Sequence, residues 1–183
     1  MHFEIDPSIL TDDIIDLLKS APKDMFQLEM GIQSANERTL AAVDRKCDLK
    51  TVAKNIMAIK EAGNMHIHLD LIAGLPYEDY ESFGKSFNYV YSLCPDMLQL
   101  GFLKVLHGAP IKDVKGIVHA DFPPYEVIKT DWISAEEICR LKLIAKTVDE
   151  IKNSGAFEKV LKKVTLENPF GAFEKMAQIF GSP

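Results

Sequence analysis

Apolar residues fall at two spacings along the chain. At residues 2–5, 25–33, 65–72 and 97–105 they alternate with polar ones, the period of a β-strand. Between these runs they recur every three or four positions, the period of a helix. Thr11 caps a predicted helix over 12–19, whose apolar face is Ile14, Ile15, Leu17 and Leu18. Asn36 precedes a short helix over 37–43. Asp48 caps another through residue 62, with Leu49, Val52, Ile56 and Ile59 on one face and Gly63-Asn64 closing it. Residues 78–93 form the next, striped by Phe83, Phe87, Val90 and Tyr91. Strand and helix therefore alternate through four strands. Connections of that length cross over, which makes the strands parallel and the crossovers right-handed.

The pattern changes after residue 105. Residues 106–131 carry Gly108, Pro110, Gly116, Pro123 and Pro124, and read as a long irregular loop. Ser134 to Glu137 is a capping box that opens a helix to about residue 153. A short helix is expected over 157–164. Asn168-Pro169 opens a last one, with Phe170, Phe173, Ala177 and Phe180 as its stripe. The chain divides into residues 1–110, a loop over 111–133 and a helical extension over 134–183.

Strand parity carries the first functional signal. His2 and Glu4 oppose Phe3 and Ile5. Gln27, Glu29, Gly31 and Gln33 oppose Leu28, Met30 and Ile32. His66, His68 and Asp70 oppose Ile67, Leu69 and Leu71, and Gln99 and Gly101 oppose Leu98, Leu100 and Phe102. Each strand has one apolar face for the crossover helices and one polar face. A sheet with helices on both faces requires near-continuous apolar strands. A curved sheet with helices outside and a polar concavity fits better: an α/β fold forming part of a (β/α) barrel. The alternative is an open sheet with one solvated face. Ligands of such sheets sit at the carboxyl ends of the strands, where Glu4, Gln33 and Asp70 lie.

Composition narrows the partners. The chain has 183 residues, 47% hydrophobic and 26% charged, with a formal net charge of −6. That balance fits a folded core and argues against nucleic acid or an anionic membrane as partner. With no apolar run long enough to span a bilayer and no signal peptide, the expected compartment is the cytoplasm. Of the three cysteines, Cys47, Cys94 and Cys139, no two are close in sequence. Cys47 follows Arg45 and Lys46, cations that would favour a thiolate, but the plainer reading, an ordinary loop thiol, is preferred. A strand beginning one residue after Met1 and a helix running almost to Pro183 suggest a piece of a longer protein.

Three sequence features carry a family resemblance: Glu4-Ile5-Asp6-Pro7, Gly31-Ile32-Gln33-Ser34 with the later Asp44-Arg45, and Asp70-Leu71-Ile72-Ala73-Gly74-Leu75-Pro76. Over residues 1–110 the chain resembles the second half of the catalytic barrel of radical S-adenosylmethionine (SAM) enzymes, of the oxygen-independent coproporphyrinogen oxidase and cobalamin-binding kinds. The resemblance implies roles for five residues. Glu4 would hold the amino or sulfonium side of the methionine moiety, and Gln33 and Arg45 its carboxylate and the ribose region. Asp70 would bind the ribose hydroxyls, and Ile72 would pack on adenine. Glu29, His66, His68 and Gln99 share the polar face without a role the resemblance assigns, and either face the substrate or, for the acid and the two histidines, satisfy one another. The resemblance also implies a four-iron four-sulfur cluster in the parent protein, and cobalamin as a possible further cofactor. This chain lacks the family's C-x-x-x-C-x-x-C motif, so no metal is assigned to its own residues. The expected partners are the N-terminal half of the same protein, a small-molecule substrate, and a second copy paired through the first strand.

Two other functions compete with this one. His66-x-His68-x-Asp70 is similar to the H-x-H pair of metal-dependent barrel hydrolases. A non-catalytic α/β binding module with an acidic surface is the other.

Overall fold

The computed structural model describes residues 1–45 and 48–180, and of Phe180 only the backbone. Cys47 and the Phe180 side chain therefore lie outside the described residues.

The first half is a four-stranded parallel sheet in sequential order: β1 (His2–Glu4), β2 (Gln27–Gln33), β3 (His66–Ala73) and β4 (Met97–Phe102). Four helices connect the strands: α1 (Asp12–Lys19), the pair α2 (Glu37–Ala42) and α3 (Leu49–Glu61), and α4 (Tyr80–Ser92). Thr11, Asn36, Asp48 and Asp79 cap them, each accepting hydrogen bonds from first-turn N–H groups that have no partner inside the helix.

The apolar strand face is buried as the parity requires. Leu28, Met30, Ile67, Leu69, Leu71 and Leu98 are fully enclosed, in one core with Val52, Ile56 and Ile59 of α3 and Phe83, Phe87 and Val90 of α4. Each such side chain contributes about 1.5–3 kcal/mol by leaving water. Glu29, His68 and Asp70 occupy the opposite face.

The second half departs from the sequence expectation. Residues 106–131 are not one irregular loop. They hold a 3-10 turn (Pro110–Asp113) and an antiparallel pair, β5 (Ile117–His119) and β6 (Val127–Thr130). Strands of three and four residues with a register shift are too short to show an alternation. Residues 103–105, expected as the end of β4, instead pair antiparallel with the chain around β6. The Val127 N–H donates to the Leu103 carbonyl, and the Val105 N–H to the Tyr125 carbonyl. Leu103 is therefore buried.

Helix α5 (Ala135–Thr147) opens on the expected capping box and continues as a π-helical stretch (Val148–Asn153). Helices α6 (Glu158–Val164) and α7 (Pro169–Phe180) follow. Phe170 and Phe173 of α7 pack edge-on against Phe87 of α4, which joins the extension to the core.

Candidate functional site

Three hollows open at the carboxyl ends of the strands, and Gln33 lines all of them. The largest, about 620 Å³, is walled by Asp6, Arg45, Ile72, Leu103 and Ile111. One of about 340 Å³ adds Asp70, Gln99 and Gly101. The smallest, about 230 Å³, adds Glu4 and Gly31. The largest is within the range typical of small-molecule sites.

Gln33 reaches this junction through a break in β2. Its φ is +69°, in the left-handed region, and the register with β3 shifts between Gly31 and Gln33. The side chain folds back over Gly31. A Cβ at residue 31 would lie 2.1 Å from Gln33 Nε2, so a larger residue there would push the Gln33 amide out of this position. Gln33 Oε1 is buried without a hydrogen-bond partner. A buried orphan acceptor is costly unless a ligand satisfies it.

Arg45 stands beside the same glycine and pairs with Asp6 at 3.6 Å. Burial opposes ionisation of Asp6, but hydrogen bonds from the Ser8 side chain and backbone, with the Arg45 charge, hold its carboxyl below the usual range. Glu4, Gln33, Arg45, Asp70, Ile72 and Gln99 are thus brought to one region.

Deeper on the inner wall, His68 is only 5% exposed. Its Nε2 lies 3.2 Å from Asp70 Oδ1 and its Nδ1 3.9 Å from Glu29 Oε2. Glu29 also holds His2 Nε2 at 2.7 Å. Burial, then the neighbouring Glu29 and Glu4 carboxylates, push the Asp70 carboxyl up to about 7. Burial pulls His68 down, partly opposed by Glu29.

His66 does not join them. It is the first residue of β3, about 13 Å along the strand from Asp70 at ~3.3 Å per residue. It lines a separate hollow at the other end of the sheet with Lys60, Asp96 and Lys152. His66 shares their face by parity but stands at the far end of the strand, away from the hollows at the carboxyl ends. The H-x-H pair does not converge: among the described residues it is Glu29, not His66, that clusters with His68 and Asp70.

Beneath the loops lies a lock that the sequence reading missed. Residue 78, expected in a helix, sits in the turn before it, and its carboxylate is 1% exposed. It accepts from Ser34 Oγ at 2.6 Å and Ser86 Oγ at 2.7 Å. Burial raises the Glu78 pKa, and the two hydroxyls oppose the rise. Asn36 adds bonds to the Tyr77 carbonyl and Ser82 Oγ. The segment carrying Gln33 is thereby tied to the turn after Asp70. The available signal was a serine closing one motif and an acid just after the other.

Residues 1–90 match the Radical SAM superfamily model. The chain belongs to the radical SAM superfamily through that segment. Residues 115–182 match a second family, described as "Protein of unknown function (DUF4080)". The radical SAM segment resembles the oxygen-independent coproporphyrinogen III oxidase of Escherichia coli, 31% identical over 100 residues, or 55% of this chain and 21% of that protein. It also resembles the tRNA-2-methylthio-N(6)-dimethylallyladenosine synthase of Buchnera aphidicola, 30% identical over 110 residues, 60% of this chain and 25% of that one. The chain thus spans a quarter or less of these relatives. The radical SAM methyltransferase TsrM of Kitasatospora setae, solved with cobalamin and a [4Fe-4S] cluster, shares the fold: TM-score 0.56 at 12% identity, covering 75% of this chain and 28% of that one. Among the described residues, no helix of this radical SAM protein is long and apolar enough to cross a membrane.

Proposed function

We propose that this chain forms the SAM-binding wall of a radical SAM barrel and acts only together with a segment that supplies the cluster cysteines. One observation carries the proposal. Glu4, Gln33, Arg45, Asp70 and Ile72, which come from three strands and a loop, meet at hollows whose common residue has a buried, unsatisfied acceptor.

The donor set fits the cofactor. Arg45 offers a guanidinium to a carboxylate, and Glu4 a carboxylate to an ammonium. Asp70 offers acceptors to ribose hydroxyls, and Ile72 with Leu103 an apolar surface to adenine. Bound SAM supplies the radical chemistry, while these residues bind and orient it. The cysteines do not fit a four-iron cluster. Cys94 and Cys139 are exposed on different elements, and no C-x-x-x-C-x-x-C run is present.

A free side supports the need for a second segment. Strand β1 is at the edge of the sheet, and its Met1 and Phe3 are exposed apolar side chains. Anaerobic reconstitution with iron and sulfide is the test. The isolated chain is expected to assemble no four-iron four-sulfur cluster, read as matched iron and acid-labile sulfide, and to leave SAM intact. Fused to a segment with the three-cysteine motif, it is expected to do both, with Gln33→Ala weakening SAM binding by about 1–3 kcal/mol in equilibrium dialysis. A four-iron four-sulfur cluster with its sulfide in the isolated chain, or unchanged SAM affinity in Gln33→Ala, would refute the proposal.

A further inference from the structure

The Glu29–His68–Asp70 cluster is not needed to hold SAM, apart from Asp70, and its geometry is incomplete. Glu29 stands opposite His68 in the β2–β3 register, and Asp70 lies two residues further along β3 on the same face. One ligand atom from each lies within 4.8 Å of the others. The side chains are 28%, 6% and 16% exposed, so this is not a solvated acidic surface.

His68 shows what is missing. Both ring nitrogens point towards carboxylates, yet neither makes a hydrogen bond among the described residues, and Asp70 Oδ1 is also unsatisfied. A neutral imidazole carries one N–H and one lone pair. Whichever nitrogen holds the lone pair therefore faces an acceptor. That buried lone pair and the two partly buried carboxylates leave a place that a cation would complete.

We propose that Glu29, His68 and Asp70 form a site for one divalent transition-metal ion on the inner wall. The donors are one imidazole nitrogen and two carboxylate oxygens, a set suited to zinc or manganese rather than calcium or magnesium, which take oxygen alone. Ligand atoms around a tetrahedral ion with bonds of ~2.0 Å lie roughly 3.3 Å apart. With His68 Nε2 as the donor, its 3.2 Å spacing to Asp70 Oδ1 is already close to that, and one Glu29 oxygen completes a set whose members lie within 4.8 Å of one another. His2, bonded to Glu29 Oε2, orients the carboxylate from behind, as groups outside a metal's ligand set commonly do. Three protein ligands leave a fourth position for water or a substrate oxygen inside the barrel.

The test is titration of the chelator-stripped full chain with Zn²⁺ and with Mn²⁺, followed by calorimetry and by metal analysis after dialysis. One equivalent is expected to bind. His68→Ala is expected to abolish saturable uptake, and Glu29→Gln to weaken it roughly tenfold or more. His66→Ala, at the far end of the strand, should leave it unchanged, as should Gln33→Ala, which separates this site from the SAM cleft. Circular dichroism of each variant shows whether it is folded. Co²⁺ spectra are expected to show nitrogen and oxygen ligation without a thiolate charge-transfer band, excluding a cysteine site. No stoichiometric uptake by the wild type, as when a shared proton completes the cluster, would overturn the proposal. So would uptake that survives in folded His68→Ala and Glu29→Gln.

Discussion

The two edges of the parallel sheet are finished differently. At the β4 edge the chain supplies its own cover. Asn153, at the end of the π-helical stretch, donates to the Leu98 carbonyl at 2.9 Å and accepts from the Leu98 N–H at 3.0 Å. One side-chain amide thus stands in for a neighbouring strand. Lys152 donates to the Pro95 and Asp96 carbonyls just before β4, and residues 103–105 pair with the chain around β6. At the β1 edge the described residues supply no such cover. Met1 O and Ile5 N–H bond to β2, so the amides of His2 and Glu4 point the other way, with exposed Met1 and Phe3 beside them. An open edge invites another strand. The wall therefore ends at β4 and stays available for extension at β1. The segment matching the second family builds the closed end.

The comparison breaks first at Asn153. Asn153→Leu leaves the buried Leu98 N–H and C=O unpaired, and should cost about 3 kcal/mol. Melting should fall by roughly 6–12 °C for a chain of this size, read by calorimetry. A drop below 2 °C would mean that the amide is not closing the edge.

Glu78→Ala, in the loop lock between the two edges, comes next. It should cost about 2 kcal/mol in chemical denaturation, because two hydroxyls lose a buried acceptor while an unfavourable buried charge also disappears.

Lys152 gives the closed edge a pH signature. Burial, chiefly, pulls its ammonium down to about 8 from an ordinary 10.5. Between those values the unfolded chain holds more protons than the folded one, so this group makes stability rise as pH climbs from about 8. Lys152→Met should flatten that slope in melts across this range.

The smallest effect on stability is expected at the open edge. Phe3→Lys should change it by less than about 1 kcal/mol, since the ring is half exposed. The wild-type chain is expected to self-associate with rising concentration in light scattering, and Phe3→Lys to do so less, because a lysine beside an open edge discourages strand addition.

Much of the wall was legible because a half-buried parallel strand writes its two faces into alternate residues. That parity located Glu4, Glu29, Asp70 and Gln99. Gln33 reaches the predicted face only through a left-handed residue and a shifted register. His66 had the right parity and the wrong height, since alternation records a face and not the distance along it. Glu78 and Asn153 were missed for a related reason. Each acts on partners more than forty residues away through its side chain, which no local spacing records. The pair β5–β6 was too short for any period to emerge.

The difference between the edges is tested most directly by amide hydrogen exchange resolved to single residues, on a sample that light scattering shows to be monomeric. Leu98, Val105 and Val127 should exchange slowly, with protection approaching that of global unfolding. His2 and Glu4, whose amides face away from β2, should exchange at close to the rate of an unstructured chain. Protection of His2 and Glu4 equal to that of Leu98 in the monomer would contradict the account, because it would show that β1 already has a neighbour on its outer side.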